Sequence, residues 1–180
     1  MNPKATLIIA IIFLTFLSGC STAQKFKIML PNSFIGMEEV VNGLYVDHEM
    51  SVSQRQELST SIKAGKEKVK NIWGNVESKP DVYACSTETC FQSFGGSTNK
   101  ANAVWGRMLL SPRALDPEMI AHEWSHNELY QRLDSFFAWR NIPQWFDDGI
   151  AVYVSGYEVH GDSEWAKIKR VALNPPSLMS

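Results

Sequence analysis

Apolar positions fall into blocks of different period along this chain. The first is an unbroken run from Leu7 to Leu14, and from Ser21 to about residue 36 there is no clear period. Leu44-Tyr45-Val46-Asp47-His48 reads as a short strand after Gly43. Ser51 and Ser53 are helix-cap candidates, and Ser53 with Gln56 makes a capping box. The helix predicted from there to about Trp73 gathers Leu58, Ile62, Val69, Ile72 and Trp73 near one stripe, and Gly74-Asn75 ends it. Asp81 to Cys85 follows Pro80 and reads as a strand. Ser86 to Asn102, with Gly95-Gly96 inside it, reads as a loop, and Ala103 to Leu110 as a second strand stopped by Ser111-Pro112. Asp116-Pro117-Glu118 combines a cap, a proline suited to the first turn and an acid at the positive helix end. The helix it starts is predicted to reach about Leu133.

The first block has the form of a signal peptide over residues 1–19. One cation, Lys4, precedes the apolar run, and the small stretch Leu17-Ser18-Gly19-Cys20 follows it. The run falls short of the roughly 20 apolar residues that a membrane span needs. Leu17-Ser18-Gly19-Cys20 also resembles the bacterial lipobox, in which the peptidase cuts before the cysteine and the cysteine carries lipid. The resemblance implies that Cys20 is the lipidated first residue, with 20–36 as a tether and 37–180 as the folded domain. The plainer alternative is an ordinary signal peptide that contains a cysteine. Ser21 stands where an inner-membrane retention aspartate would sit. By resemblance to lipoprotein sorting in double-membraned bacteria, this points to the outer membrane, facing the periplasm.

Composition adds bounds. The chain has 180 residues with 17 cations against 19 acids, a net charge of −2, and losing the leader removes Lys4 and no acid. Nothing in that balance suggests a nucleic-acid partner, and the length suits one domain. Lys63, Lys66, Lys68 and Lys70 are interleaved with Glu57 and Glu67, which reads as a solvated face rather than an anion site. With Cys20 assigned to lipid, Cys85 and Cys90 form an even pair in a compartment where disulfides persist, so they are expected to be bonded. A metal pair and two buried thiols are the alternatives, and no second cysteine pair completes a zinc cage.

The chemistry concentrates on the Asp116 helix. Met119, His122, His126, Leu129 and Leu133 recur at steps of three and four, so two histidines interrupt an apolar stripe read as facing the core, with Glu123 between them. Burying such groups without partners costs roughly 1 to 3 kcal/mol each. A divalent metal would satisfy both imidazoles together. His122-Glu123-Trp124-Ser125-His126 matches HExxH, whose histidines bind zinc at about 2.0 to 2.1 Å. Glu123 lies about 100° around the helix and serves as a general base rather than a ligand.

Downstream, Pro143-Gln144-Trp145-Phe146-Asp147-Asp148-Gly149-Ile150-Ala151 resembles the second helix of the gluzincin metallopeptidases, in particular the small peptidase MA-like domains. There a Pro-x-Trp-Phe-x-Glu-Gly-x-Ala helix supplies the third zinc ligand from its glutamate, and Asp148 occupies that position here. Aspartate is shorter by one methylene, about 1.5 Å, so either the helices approach more closely or metal affinity suffers. A solvated Asp147-Asp148 pair is the bland reading. The resemblance implies an α+β, zincin-like fold: a short mixed sheet, an edge strand preceding the metal helix, and a second helix carrying the third ligand. Val104 to Leu110 matches by order the edge strand that pairs with extended substrate.

The expected activity is therefore zinc-dependent hydrolysis of amide bonds in a peptide or protein at the cell envelope, with the membrane reached through the N-terminal lipid. Zn2+ sits on His122, His126 and Asp148, and Glu123 is the base. Tyr153, Tyr157 and His160 are candidates for stabilising the oxyanion, and His48 is unassigned. The rival expectation is a catalytically inactive zincin-fold lipoprotein that acts as a binding module.

Overall fold

The computed structural model describes residues 36–134, 138 and 140–156. The expected leader, Cys20, almost all of the tether, Tyr157 and His160 lie outside the described residues. The elements in order are β1 (Glu38–Val41), β2 (Leu44–Val46), α1 (Val52–Trp73), β3 (Asp81–Ala84), α2 (Glu88–Ser93), β4 (Ala101–Val104), β5 (Arg107–Leu110), α3 (Pro117–Leu133) and α4 (Gln144–Ser155). The fold class is mixed α+β, with a five-stranded sheet in the order β1-β2-β3-β5-β4. The inner strands β2, β3 and β5 run parallel, and β1 and β4 are antiparallel edges.

Register divides the residues between two faces, as side-chain alternation requires. Leu44, Val46, Val82, Ala84, Met108, Leu110 and Ala101 face α1, α3 and α4, meeting Leu58, Val69, Ile120, Trp124 and Val154. Tyr45, Tyr83 and Leu109 face the other way, toward Phe91 and Phe94 around α2. Helices α1 and α3 meet at Gly65, where a Cβ would come within 2.8 Å of the Ile120 side chain and 3.0 Å of the Pro117 carbonyl. Only glycine permits that approach. Among the described residues no helix is long and apolar enough to cross a membrane.

Several expectations are corrected. The capping box belongs to Ser51 and Gln54, not Ser53 and Gln56, because Ser51 takes the extended backbone of a cap and accepts from the Gln54 amide. Ile72 is exposed rather than part of the buried stripe. The 86–102 loop holds α2, capped by Thr87 and closed by a Cys85–Cys90 disulfide with Cα atoms 5.6 Å apart, as expected of that pair. Strand β1 precedes the first strand read from the sequence.

The strand read from Ala103 to Leu110 is a hairpin. Trp105 (φ 33°) and Gly106 (φ 79°) form its two-residue turn, the positive-φ geometry that matches strand twist. The sheet edge on the side of the HExxH helix is thus β4, not Val104 to Leu110; β5 is interior, between β3 and β4.

Candidate metal centre

Helix α3 begins where its cap chemistry requires. Asp116 Oδ1 accepts from the Met119 amide at 2.8 Å, and Pro117 needs no partner for a missing N–H. Ile120, Ala121, Trp124 and Leu129 are buried, so α3 is covered nearly all round. Of the stripe, His122 and His126 border a cleft of about 830 Å3, whereas Met119 lies in the core and Leu129 is buried. Their rings lie edge-on at 5.0 Å. Glu123, 7% exposed, lies on the same cleft wall.

Helix α4 brings the two aspartates to His126. Asp147 Oδ1 is 2.7 Å from His126 Nδ1, and Asp148 Oδ1 is 4.0 Å from His126 Nε2 with its side chain 53% exposed. The two ring nitrogens therefore face different carboxylates. A carboxylate on Nδ1 fixes the tautomer that leaves Nε2 as a lone-pair donor. Sequence reasoning missed this role for Asp147. Its only signal was a second acid next to the expected ligand.

The turn of the β4–β5 hairpin is tied to the same helix. Asn127 Oδ1 accepts from the Gly106 amide at 2.7 Å, and its Nδ2 donates to the carbonyls of Arg107 at 3.3 Å and Glu123 at 3.2 Å. The hairpin turn is thereby held one helical turn from Glu123, and Ala101, Asn102, Ala103, Val104 and Trp105 line the cleft. Tyr130 and Arg140 line it too, although neither stood out in the sequence. Tyr153 is 69% exposed and is not among the lining residues, and His48 is exposed beyond β2.

Electrostatics separate the three central groups. Burial, with a contribution from the His126 charge, pushes His122 down to about 4, against a small opposing effect of Asp147. Burial also lowers His126, but the Asp147 hydrogen bond and the charges of Asp147, Glu123 and Asp148 outweigh it and raise the ring above its ordinary value. Burial pushes Glu123 up to about 7, and Asp148 and Asp147 add to that shift; the His126 charge and the Ala103 amide oppose it.

The residues fit a zinc ion in kind. Two imidazoles and a carboxylate are a normal donor set, His122 is held neutral as ligation requires, and His122 Nδ1 is buried without a hydrogen-bond partner. The spacing is looser than a closed site. Two donors on a tetrahedral zinc sit about 3.3 Å apart, whereas Asp148 is at 4.0 Å from Nε2. Among the described residues, the donors that converge within 4.8 Å are Asp47, Cys85 and Cys90. That cluster offers no thiolate, because the two sulfurs are bonded to each other. Its carboxylate is also engaged, with Asp47 accepting from the Ser86 amide and, at 2.7 Å, from the Ser86 hydroxyl. Comparison of the chain with protein-family models, with curated proteins and with solved structures finds no match.

Proposed function

We propose that this chain is a zinc-dependent amide hydrolase of gluzincin type, acting on an extended peptide or protein. The observation that carries the reading is the convergence of His122, Glu123 and His126 on a cleft bordered by an edge strand. His122, His126 and Asp148 are the residues that would hold the metal. A zinc ion bound there would supply Lewis acidity toward water and the scissile carbonyl.

The chain's own groups do the rest. Glu123, with an acidity near neutrality, takes a proton from the attacking water and returns it to the leaving amine. Asp147 keeps Nδ1 of His126 occupied so that Nε2 faces the cleft. The Asn127 contacts hold the turn that follows β4 against α3, which keeps β4 beside Glu123 for backbone pairing that aligns the scissile bond. Tyr130 and Arg140 bring polar donors to the same cleft for the developing oxyanion. As part of the same reading, Cys20 is lipidated and residues 20–36 tether the domain to the outer membrane on its periplasmic side.

A second reading has one observation in its favour. Asp148 is half exposed and stands off from His126, as expected of a zincin-fold binding module with a weak metal or none. Metal analysis of the purified protein, wild type and Asp148→Ala, separates the two. About one zinc per chain, lost in the variant, together with peptide hydrolysis abolished by Glu123→Gln, supports the hydrolase. A wild-type protein that takes up no supplied zinc overturns it in favour of the binding module.

A further inference from the structure

Strand β4 has two faces, and among the described residues β5 is its one pairing partner. Ala103 lies opposite Met108, on the face of α3 and the metal centre; Asn102 lies opposite Leu109, on the face of α2. The Ser111 amide donates to the Lys100 carbonyl at 3.0 Å. By alternation, the backbone groups of Asn102 and Val104 point to β5, and those of Ala101 and Ala103 point outward. The Ala103 amide is indeed the one that reaches Glu123. A chain added outside β4 must send successive side chains to opposite faces. One set enters the cleft at Glu123. The other set crosses to the α2 face.

On that second face lies a cavity of about 260 Å3, lined by Phe94, Leu109, Val104, Gly95 and the polar residues Ser97, Asn99 and Asn102. It shares Asn99, Asn102 and Val104 with the main cleft, so the two flank the same edge strand. It lies below the roughly 300 to 1,000 Å3 of free small-molecule sites, which suits one side chain. No charged residue lines it. Its rim amides are already engaged: Asn99 Nδ2 donates to the Ala101 carbonyl at 2.8 Å and to Asn102, and Ser97 donates to Asn99 Oδ1 at 3.2 Å. An ionic group would find no countercharge there.

The walls are also held rigid. The Cys85–Cys90 disulfide closes α2. Gly96 rests on the Phe91 ring, where a Cβ would come within 2.2 Å. Arg113 bridges Glu88 at 2.6 Å and the Asn99 carbonyl at 3.0 Å, joining α2 to the approach of β4.

We propose that this cavity is the specificity pocket of the site, receiving one apolar side chain of an extended peptide laid along β4, from the residue adjacent to the one facing Glu123. The proposal rests on the reading of the cleft as a peptide-hydrolysing centre.

The test separates the pocket from the chemistry. Binding is measured on the full-length Glu123→Gln chain in detergent, supplied with zinc, using capped alanine hexapeptides with a single leucine stepped through each position. The expected result is a preference of about tenfold for leucine over alanine at one position. Amide shifts should appear at Gly95 and Ser97, and Ser97→Trp, an exposed change at the cavity mouth, should remove the preference while peptides still bind. Binding indifferent to leucine position, shifts confined to the α3 side of β4, or no binding each overturns the pocket. Turnover is read separately on the zinc-supplied wild type: if it fails while the leucine preference persists, the hydrolytic reading falls and the pocket stands.

Discussion

Glu123 and Glu128 share the helix α3, both are buried, and their surroundings are opposite. Glu128 accepts from the amides of Glu77 at 3.0 Å and Ser78 at 2.9 Å, from the Ser78 hydroxyl at 2.7 Å, and from Arg132 at 2.9 Å. The Ser78 hydroxyl in turn accepts from Trp124 Nε1 at 3.0 Å, and Arg132 continues to the Asn75 carbonyl at 2.8 Å. Burial on its own raises the Glu128 pKa, yet these donors together hold it below 4.5. Glu123 has the burial with little of the compensation, and its carboxyl is pushed up to about 7. The first cluster locks the segment after α1 onto α3. The second leaves a carboxyl of near-neutral acidity beside a cleft, as the proposed base requires.

The largest effect expected from this contrast is at Glu128. Glu128→Ala strands three donors and the Arg132 charge in or near the interior and should cost about 3 to 5 kcal/mol in denaturant unfolding. Glu123→Gln should leave stability within about 1 kcal/mol of wild type. Equal costs for the two would remove the distinction between a locking carboxylate and a reactive one. The stabilisation from Glu128 also carries a pH signature. Its folded-state pKa is depressed, so the contribution is complete above the ordinary value of 4.5 and is lost as pH falls through the lower folded value. The gap between wild type and Glu128→Gln should therefore shrink in acid. A gap independent of pH would mean that the charge is not what the donors stabilise.

The difference between the clusters also explains what was readable in advance. His122, Glu123 and His126 were legible because i, i+4 spacing on one helix fixes their common side. The α3 boundaries were legible because Asp116-Pro117 is a local cap signal. Glu128 and Asp147 were not, since Glu128 takes donors from the 74–79 segment and Asp147, on α4, meets His126 on α3, pairings that only helix packing selects. The hairpin was hidden for a local reason: Trp105-Gly106 lacks the Asn-Gly or Asp-Gly signature of a two-residue turn, and tryptophan at positive φ is a strained choice. Ser51 and Ser53 each have a glutamine three residues on, so sequence alone could not separate them, whereas burial of Met50 at 2% exposure sets the start at Ser51.

A middle-sized effect is expected where the carboxylate acts through a neighbour. Asp147→Ala removes the 2.7 Å contact to His126 and should weaken zinc binding about 10- to 100-fold in a chelator competition titration, without abolishing it. Asp148→Ala should remove a donor outright and cost more. The reverse order would mean that α4 turns to present Asp147 as the ligand and leaves Asp148 in solvent.

The smallest effect separates stability from placement at Asn127. Its side chain makes three backbone contacts, but Gly106 is exposed, so water can replace the lost acceptor there. Asn127→Ala should thus cost only about 1 kcal/mol of global stability. The hairpin turn, however, loses its anchor to α3, and hydrogen exchange at Gly106 should accelerate well beyond that seen in the inner strands. Uniform acceleration across β3 and β5 would make Asn127 a member of the locking class with Glu128. Acceleration confined to the hairpin assigns it to the cleft side of α3, holding the hairpin turn beside Glu123.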